Sequence, residues 1–267
     1  IQVCSEAVLN KVGMQDKLEG RVDFIAGINH MGWLLDIKDK DGNDLYPEIR
    51  KKAAIKNKTE KHKDMVRFEY IKHLGYYCTE SSEHNAEYNP WFIKPNYPEL
   101  IEKFNIPLDE YPRRCRNQIS RWAEQKQELL NNGRIDHERS REYASYIMEA
   151  VVTNKPFKIG GNVMNTGLIE NLPADACVEV PCMIDGNGIN PCHVGRLPVQ
   201  LAAMNMTNIN VHLLTIQAAV TKKREDIYRA VMLEPRCAAI LSVDDIIKMV
   251  DELIEAHQRV GFMTEYK

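Results

Sequence analysis

The sequence predicts an α+β fold, with a mixed β-sheet and a mostly helical C-terminal third. Three observations predict it. Two β-branched runs lie near the start, Arg21 to Asn29 (RVDFIAGIN) and Trp33 to Lys40 (WLLDIKDK). Two more lie in the middle, Phe157 to Met164 and Cys177 to Ile184. Beyond them, apolar residues recur at helical spacing almost to the end.

The first pair of strands closes at Asp41-Gly42, a strong turn signal. From Asp64 to Leu74, the residues Met65, Val66, Phe68, Ile71 and Leu74 fall on one helix face, and Gly75 stands where that helix must stop. The stretch from Tyr76 to Pro98 has no sustained period and is rich in acids, aromatics and Asn; a loop of this kind within a domain predicts function. Helices follow over Pro98 to Phe104 and over Tyr111 to Asn132, the second closed by Asn132-Gly133. Ser140 opens another, Arg141 to Asn154. The last third reads as helices Pro198 to Thr221, Arg224 to Met232 and Val243 to Val260, with Asp244 and Asp245 placed where the macrodipole favours acids. No repeat, low-complexity tract or linker interrupts the chain, so residues 1–267 read as one domain.

The chain has 267 residues, Lys+Arg 35 against Asp+Glu 38, and 44% hydrophobic residues, enough for a substantial core without staples. A net charge of -3 argues against nucleic acid as a partner. The apolar runs fall short of the roughly 18 residues a membrane span needs, so no membrane partner is expected. Seven cysteines with no CxxC pair suit reduced thiols in the cytoplasm. The first residue is Ile1, which leads us to expect a fragment of a longer protein.

No GxGxxG follows a strand, and GxxxxGK[ST], HExxH and GxSxG are absent. Three local clusters remain. The first is Gly27-Ile28-Asn29-His30-Met31-Gly32, which presents an amide and an imidazole at the end of an apolar strand, although a satisfied structural histidine is the competing reading. The second, from Thr79 to Tyr88, holds Glu80, Glu83, Glu87 and His84, and either divides acid and base roles or is a solvated acidic loop. The third, Asn162 to Pro173, could bind sugar hydroxyls through Asn162, Asn165, Asn171 and Gly167, or could hydrogen-bond its own turn.

AGINHM, LGYYCTESSEHNAEYNPWFIKP, PLDEYPRRC, SREYASYIMEA, GNVMNTGLIENLPADACVEVPCMID and TNINVHLLTIQAA occur in this order along the chain. They resemble successive blocks of the glycoside hydrolase family 4 α-galactosidases, or melibiases. The resemblance covers the C-terminal catalytic region, whose fold is lactate/malate dehydrogenase-like, and not the N-terminal NAD-binding half. It implies an enzyme dependent on NAD and Mn2+ that oxidises the sugar at C3, abstracts the C2 proton, eliminates the glycosidic oxygen and adds water, an exception to the two-carboxylate glycosidases. It also implies cytoplasmic location and a homo-oligomer.

Residue by residue, the resemblance makes Cys4 and His30 the metal ligands. It makes Glu80 the base, with Glu83 and Tyr88 as alternatives. Asn29, His84, Asn162 and Asn165 become substrate contacts. After the metal cysteine the α-galactosidases usually carry His where this chain has Ser5, so leaving-group protonation is not assigned. Two other readings stay open: a related glycosidase acting on another sugar, either an α-glucosidase or a galacturonidase, and a silent interaction domain. A uronidase needs a cation for the substrate carboxylate, and the TESSEHNAEY loop has none, which favours a neutral sugar.

Overall fold

The computed structural model describes residues 2–132, 138–140 and 142–266, with side chains from residue 4 onward. Its organising unit is the antiparallel hairpin of β1 (Val22–Ile28) and β2 (Met31–Lys38). Pairing runs from Val22 opposite Lys38 to Ile28 opposite Met31, leaving only Asn29 and His30 to turn the chain. A two-residue hairpin turn requires positive φ, and His30 supplies it at 64°.

The remaining strands are β3 (Tyr77–Cys78), β4 (Phe157–Met164), β5 (Cys177–Asp185) and β6 (Gly188–Pro191). Their order is β3-β2-β1-β5-β4, with β6 beside β5. All these strand pairs are antiparallel, so the expected mixed sheet is corrected: the parallel pairing among the described residues is the isolated bridge Ile169 to Gly195. Short turns join β1 to β2 and β5 to β6, whereas α2 and α3 lie between the neighbours β2 and β3.

Strand alternation divides the interior into two layers. Ala26, Ile28, Met31, Trp33, Val178 and Val180 face the larger cluster. Ile25, Leu34 and Ile37 face the other, which is built by Cys4, Val8 and Leu9 of α1 (Gln2–Lys11) and by Tyr46, Ile49 and Ala53 of α2 (Tyr46–Thr59). The sequence reading did not anticipate these two helices. In α2 only three residues are buried among six charges, too sparse an apolar period to recognise.

Helix α3 (Met65–Leu74) matches its expectation, and Gly75 ends it with φ 88°, its N–H on the Tyr70 and Ile71 carbonyls. The stretch expected to be a loop contains β3 and a six-residue helix, α4 (Ser82–Glu87), capped by the Ser81 hydroxyl, which accepts from the His84 N–H. Next come α5 (Glu99–Lys103), α6 (Glu110–Asn131) and α7 (Ala144–Thr153); Gly133 and Arg141, expected at the neighbouring helix ends, lie outside the described residues. Last come α8 (Val199–Thr221), α9 (Arg224–Met232), α10 (Pro235–Ile240) and α11 (Val243–Arg259). Ser242 caps α11 by accepting from the Asp245 N–H, so Asp244 and Asp245 do belong to a helix start.

Helix α8 is fastened to the hairpin by one buried amide. Asn205 accepts from the Trp33 indole N–H at 3.2 Å and donates to the Met31 carbonyl at 2.8 Å. Asn205 is fully buried, so an apolar replacement strands a donor and an acceptor. Asn205→Leu is expected to lower stability by about 2–4 kcal/mol, read as a shift of the urea midpoint at unchanged m.

Candidate active site

The hairpin tip and the segment between β3 and α4 are clamped together by backbone. The Thr79 N–H donates to the Gly32 carbonyl at 2.7 Å, and the Gly32 N–H donates to Thr79 Oγ1 at 2.9 Å. A Cβ at Gly32 would stand 3.2 Å from Thr79 Cγ2, so glycine permits the approach. The next residue, Glu80, has φ 67° and turns its carboxylate to the hairpin tip. Asn85 holds this bend from inside, its amide donating to the Thr79 carbonyl at 3.1 Å and the Ser81 carbonyl at 2.9 Å. Two non-glycine residues in the left-handed region thus face each other, a conformation that costs about 1–2 kcal/mol each and persists only where surroundings enforce it.

Four side chains meet there. His30 Nδ1 is 3.0 Å from the Tyr88 hydroxyl, and His30 Nε2 is 3.6 Å from Glu80 Oε2. His84 Nε2 is 4.0 Å from the other Glu80 oxygen, and its Nδ1 is 2.9 Å from Glu87 Oε2. The His30 and His84 rings stack at 5.7 Å, and His84 stacks on Tyr88 at 6.0 Å. Burial first, then the Glu80 and Glu87 charges, push the Tyr88 phenol above its ordinary pKa. Tyr88 therefore stays protonated at neutral pH and serves the imidazole as a hydrogen-bond partner.

His30 and Tyr88 also border a cavity of about 260 Å3. Asn29, His30 and Tyr88 form one wall, Asn208 and His212 of α8 the other, and Ile28 and Met31 the apolar floor. The sequence reading missed Asn208 and His212; their four-residue spacing on a helix was the signal available. It also missed Glu179, an acid within the apolar strand β5. Glu179 lies opposite Gly27 and Asn162 across the sheet, with one carboxylate oxygen 3.4 Å from where a Gly32 Cβ would sit. Burial raises its pKa, the His30 charge opposes this, and Glu80 reinforces it.

The other expected residues lie elsewhere. Asn165 is inside its own turn, its amide donating to the carbonyls of Ile169, Leu172 and Pro173 while its oxygen accepts from the Ile169 N–H. The expectation that Asn165 contacts substrate is corrected, because both ends of its amide are already engaged. Asn162 is exposed on β4, beside Glu179 and away from the cavity lining. Glu83 is in the first turn of α4 and makes no hydrogen bond or ion pair among the described residues. Ser5 is fully buried, donating to the Asp23 carboxylate and accepting from Arg21 Nε at 2.9 Å, which is a structural role.

Cys4 is buried in the second core layer, its thiol 4.0 Å from the Cys78 carbonyl, two residues before Glu80. Burial pushes that thiol up to about 12, with Arg67 opposing. His30 is thus on the cavity side of the β3 end and Cys4 on the core side. Among the described residues no three His, Cys, Asp or Glu side chains form a cluster able to enclose an ion.

Residues 25–237 match the model described as the family 4 glycosyl hydrolase C-terminal domain, and the chain belongs to that family. It is 57% identical to an α-galactosidase of Bacillus subtilis strain 168 over all 267 residues, which make up 60% of that protein. It is 31% identical to an α-galactosidase of Rhizobium meliloti strain 1021, matching 97% of this chain and 54% of that one. The chain therefore spans less than two thirds of these relatives' length. A 6-phospho-α-glucosidase from gut microorganisms, solved in complex with NAD and Mn2+, shares the fold with a TM-score of 0.68 at 20% identity, over 96% of this chain and 59% of that one.

The raised pKa of Glu179 fixes a sign. The folded state keeps a proton that the unfolded chain has lost above the ordinary carboxylate range, so this group's contribution to stability falls as pH rises through that range toward the folded value. Glu179→Gln removes the effect: its melting temperature relative to wild type is expected to climb between pH 4 and pH 7, where thermal scans at both pH values would show a flat difference if the carboxylate were unperturbed.

Proposed function

We propose that this chain is the substrate- and metal-binding C-terminal domain, residues 1–267, of a cytoplasmic α-galactosidase acting on melibiose-like α-galactosides. The observation that carries the reading is the convergence of His30, Tyr88, Glu80 and His84 beside a cavity, in a chain 57% identical to an α-galactosidase. Seven free cysteines suit a reducing compartment. Among the described residues no helix is long and apolar enough to cross a membrane.

His30 fits a metal ligand. In the Nδ1–H tautomer its ring donates to the Tyr88 oxygen, which fixes the ring and leaves the Nε2 lone pair free, as second-sphere partners of ligating histidines do. Cys4, the other ligand the resemblance implies, lies on the core side of the β3 end with its thiol held protonated by burial, and as placed it does not fit a metal shared with His30. With His30 as a protein donor, positions remain for sugar hydroxyls and water. The chain contains no glycine-rich strand-to-helix turn, so none of its residues is assigned to NAD.

Bound Mn2+ and NAD would supply, respectively, charge stabilisation and a reversible oxidation that makes the C2 hydrogen acidic. The chain's part is to move that proton. Glu80 is the base in this reading: its carboxylate lies 3.6 Å from His30 Nε2 and 4.0 Å from His84 Nε2, whereas Tyr88 keeps its own proton and Glu83 has no hydrogen-bond or ion-pair partner among the described residues. Asn29 contacts the sugar from the cavity wall, and His84, anchored by Glu87, orients the base. The exposed stripe Tyr111, Ile119, Trp122 and Leu130 on α6, where no residue is buried, supports a homo-oligomer.

In the intact enzyme, chelation and removal of NAD are each expected to abolish hydrolysis of melibiose, and activity surviving both would refute the reading. Hydrolysis in D2O should place deuterium at C2 of the released galactose. Glu80→Gln should suppress that incorporation by about 10²-fold or more, while Tyr88→Phe retains it at a reduced rate, both read by mass spectrometry.

A further inference from the structure

We infer that Asn208 and His212, on the α8 wall of the cavity, bind hydroxyl groups of the sugar and make the site selective for an uncharged glycone. This rests on the glycosidase reading above and adds the contacts that set its specificity.

The two residues are one helical turn apart, so both face the cavity from the same side of α8, while Ile209 and Asn205 on the adjoining face are buried in the core. Neither is used up by the fold. His212 makes no hydrogen bond or ion pair among the described residues. The Asn208 amide nitrogen meets only the Met31 sulfur at 4.0 Å and the neighbouring Thr207 hydroxyl at 3.1 Å, and its carbonyl oxygen has no partner among the described residues. Both end at a cavity whose far wall carries Asn29, His30 and Tyr88.

The chemistry of this space is specific. Its floor is apolar, Ile28 and Met31, suited to the C–H face of a pyranose. Its walls carry two amides, two imidazoles and a phenol, groups that both donate and accept as hydroxyls require. No Lys or Arg is in the lining, so the protein itself offers a carboxylate or phosphate placed there no fixed cationic side chain in return for its lost water. Desolvation by its surroundings lowers the His212 pKa, which keeps that ring neutral. At about 260 Å3 the cavity is below the range of about 300–1,000 Å3 common for drug-sized ligands, room for one sugar ring.

The test uses the intact enzyme with NAD and Mn2+, and compares wild type with His212→Ala, His212→Gln and Asn208→Ala. On an aryl α-galactoside each alanine variant should raise KM by about five- to tenfold, the value of one hydrogen bond, with kcat within about threefold. His212→Gln, whose amide restores a donor and an acceptor, should recover most of the loss. The wild type should cleave the matching α-galacturonide at least about tenfold less efficiently in kcat/KM. Unchanged KM in both alanine variants, with an active wild type, overturns this inference alone, and equal use of the galacturonide overturns its claim about charge. A wild type that cleaves neither substrate overturns the glycosidase reading, and this inference with it.

Discussion

The backbone clamp between Gly32 and Thr79 is the constraint on which the site depends. Two hydrogen bonds, 2.7 and 2.9 Å long, hold the β3 end against the hairpin and leave Glu80 no position except one facing His30. Both residues have left-handed backbone, His30 in the two-residue hairpin turn and Glu80 directly after the clamp. Such strain is tolerable because the hairpin is buried on both faces and cannot slide without moving its apolar residues to the wrong layer.

Around that clamp, each component supports another. Asn205 ties α8 to Trp33 and Met31 just behind the tip, which brings Asn208 and His212 opposite it. Ser81 caps α4 and Asn85 braces the bend, so His84 and Tyr88 arrive as a stack. The membership of the family 4 C-terminal domains agrees with this arrangement, since the matched residues 25–237 include the hairpin, α4, β5 and most of α8 to α10.

A good part of this was legible in advance. The hairpin, α3 with its Gly75 stop, β4, β5 and α9 have boundaries close to those expected, because each carries a clear period and a turn residue at its end. Helices α1 and α2 were not legible, since their few buried residues stand among charges and polar residues without a clear apolar period. Among site residues, His30, Glu80, His84 and Tyr88 came together as a local cluster could, being carried by two short segments. Asn165 did not, for its amide is spent on its own turn.

What the sequence determined by itself was therefore local: which segments are strands, where turns fall, and which short blocks carry imidazole, amide and carboxylate. Only the tertiary structure decided that β5 would set Glu179 next to the hairpin, that α8 would supply the second cavity wall, and that Cys4 would lie on the core side of the β3 end. The physical reason is that period and turn chemistry act over a few residues, whereas burial, which assigns each side chain its neighbours, depends on contacts spanning more than a hundred positions, as between Trp33 and Asn205.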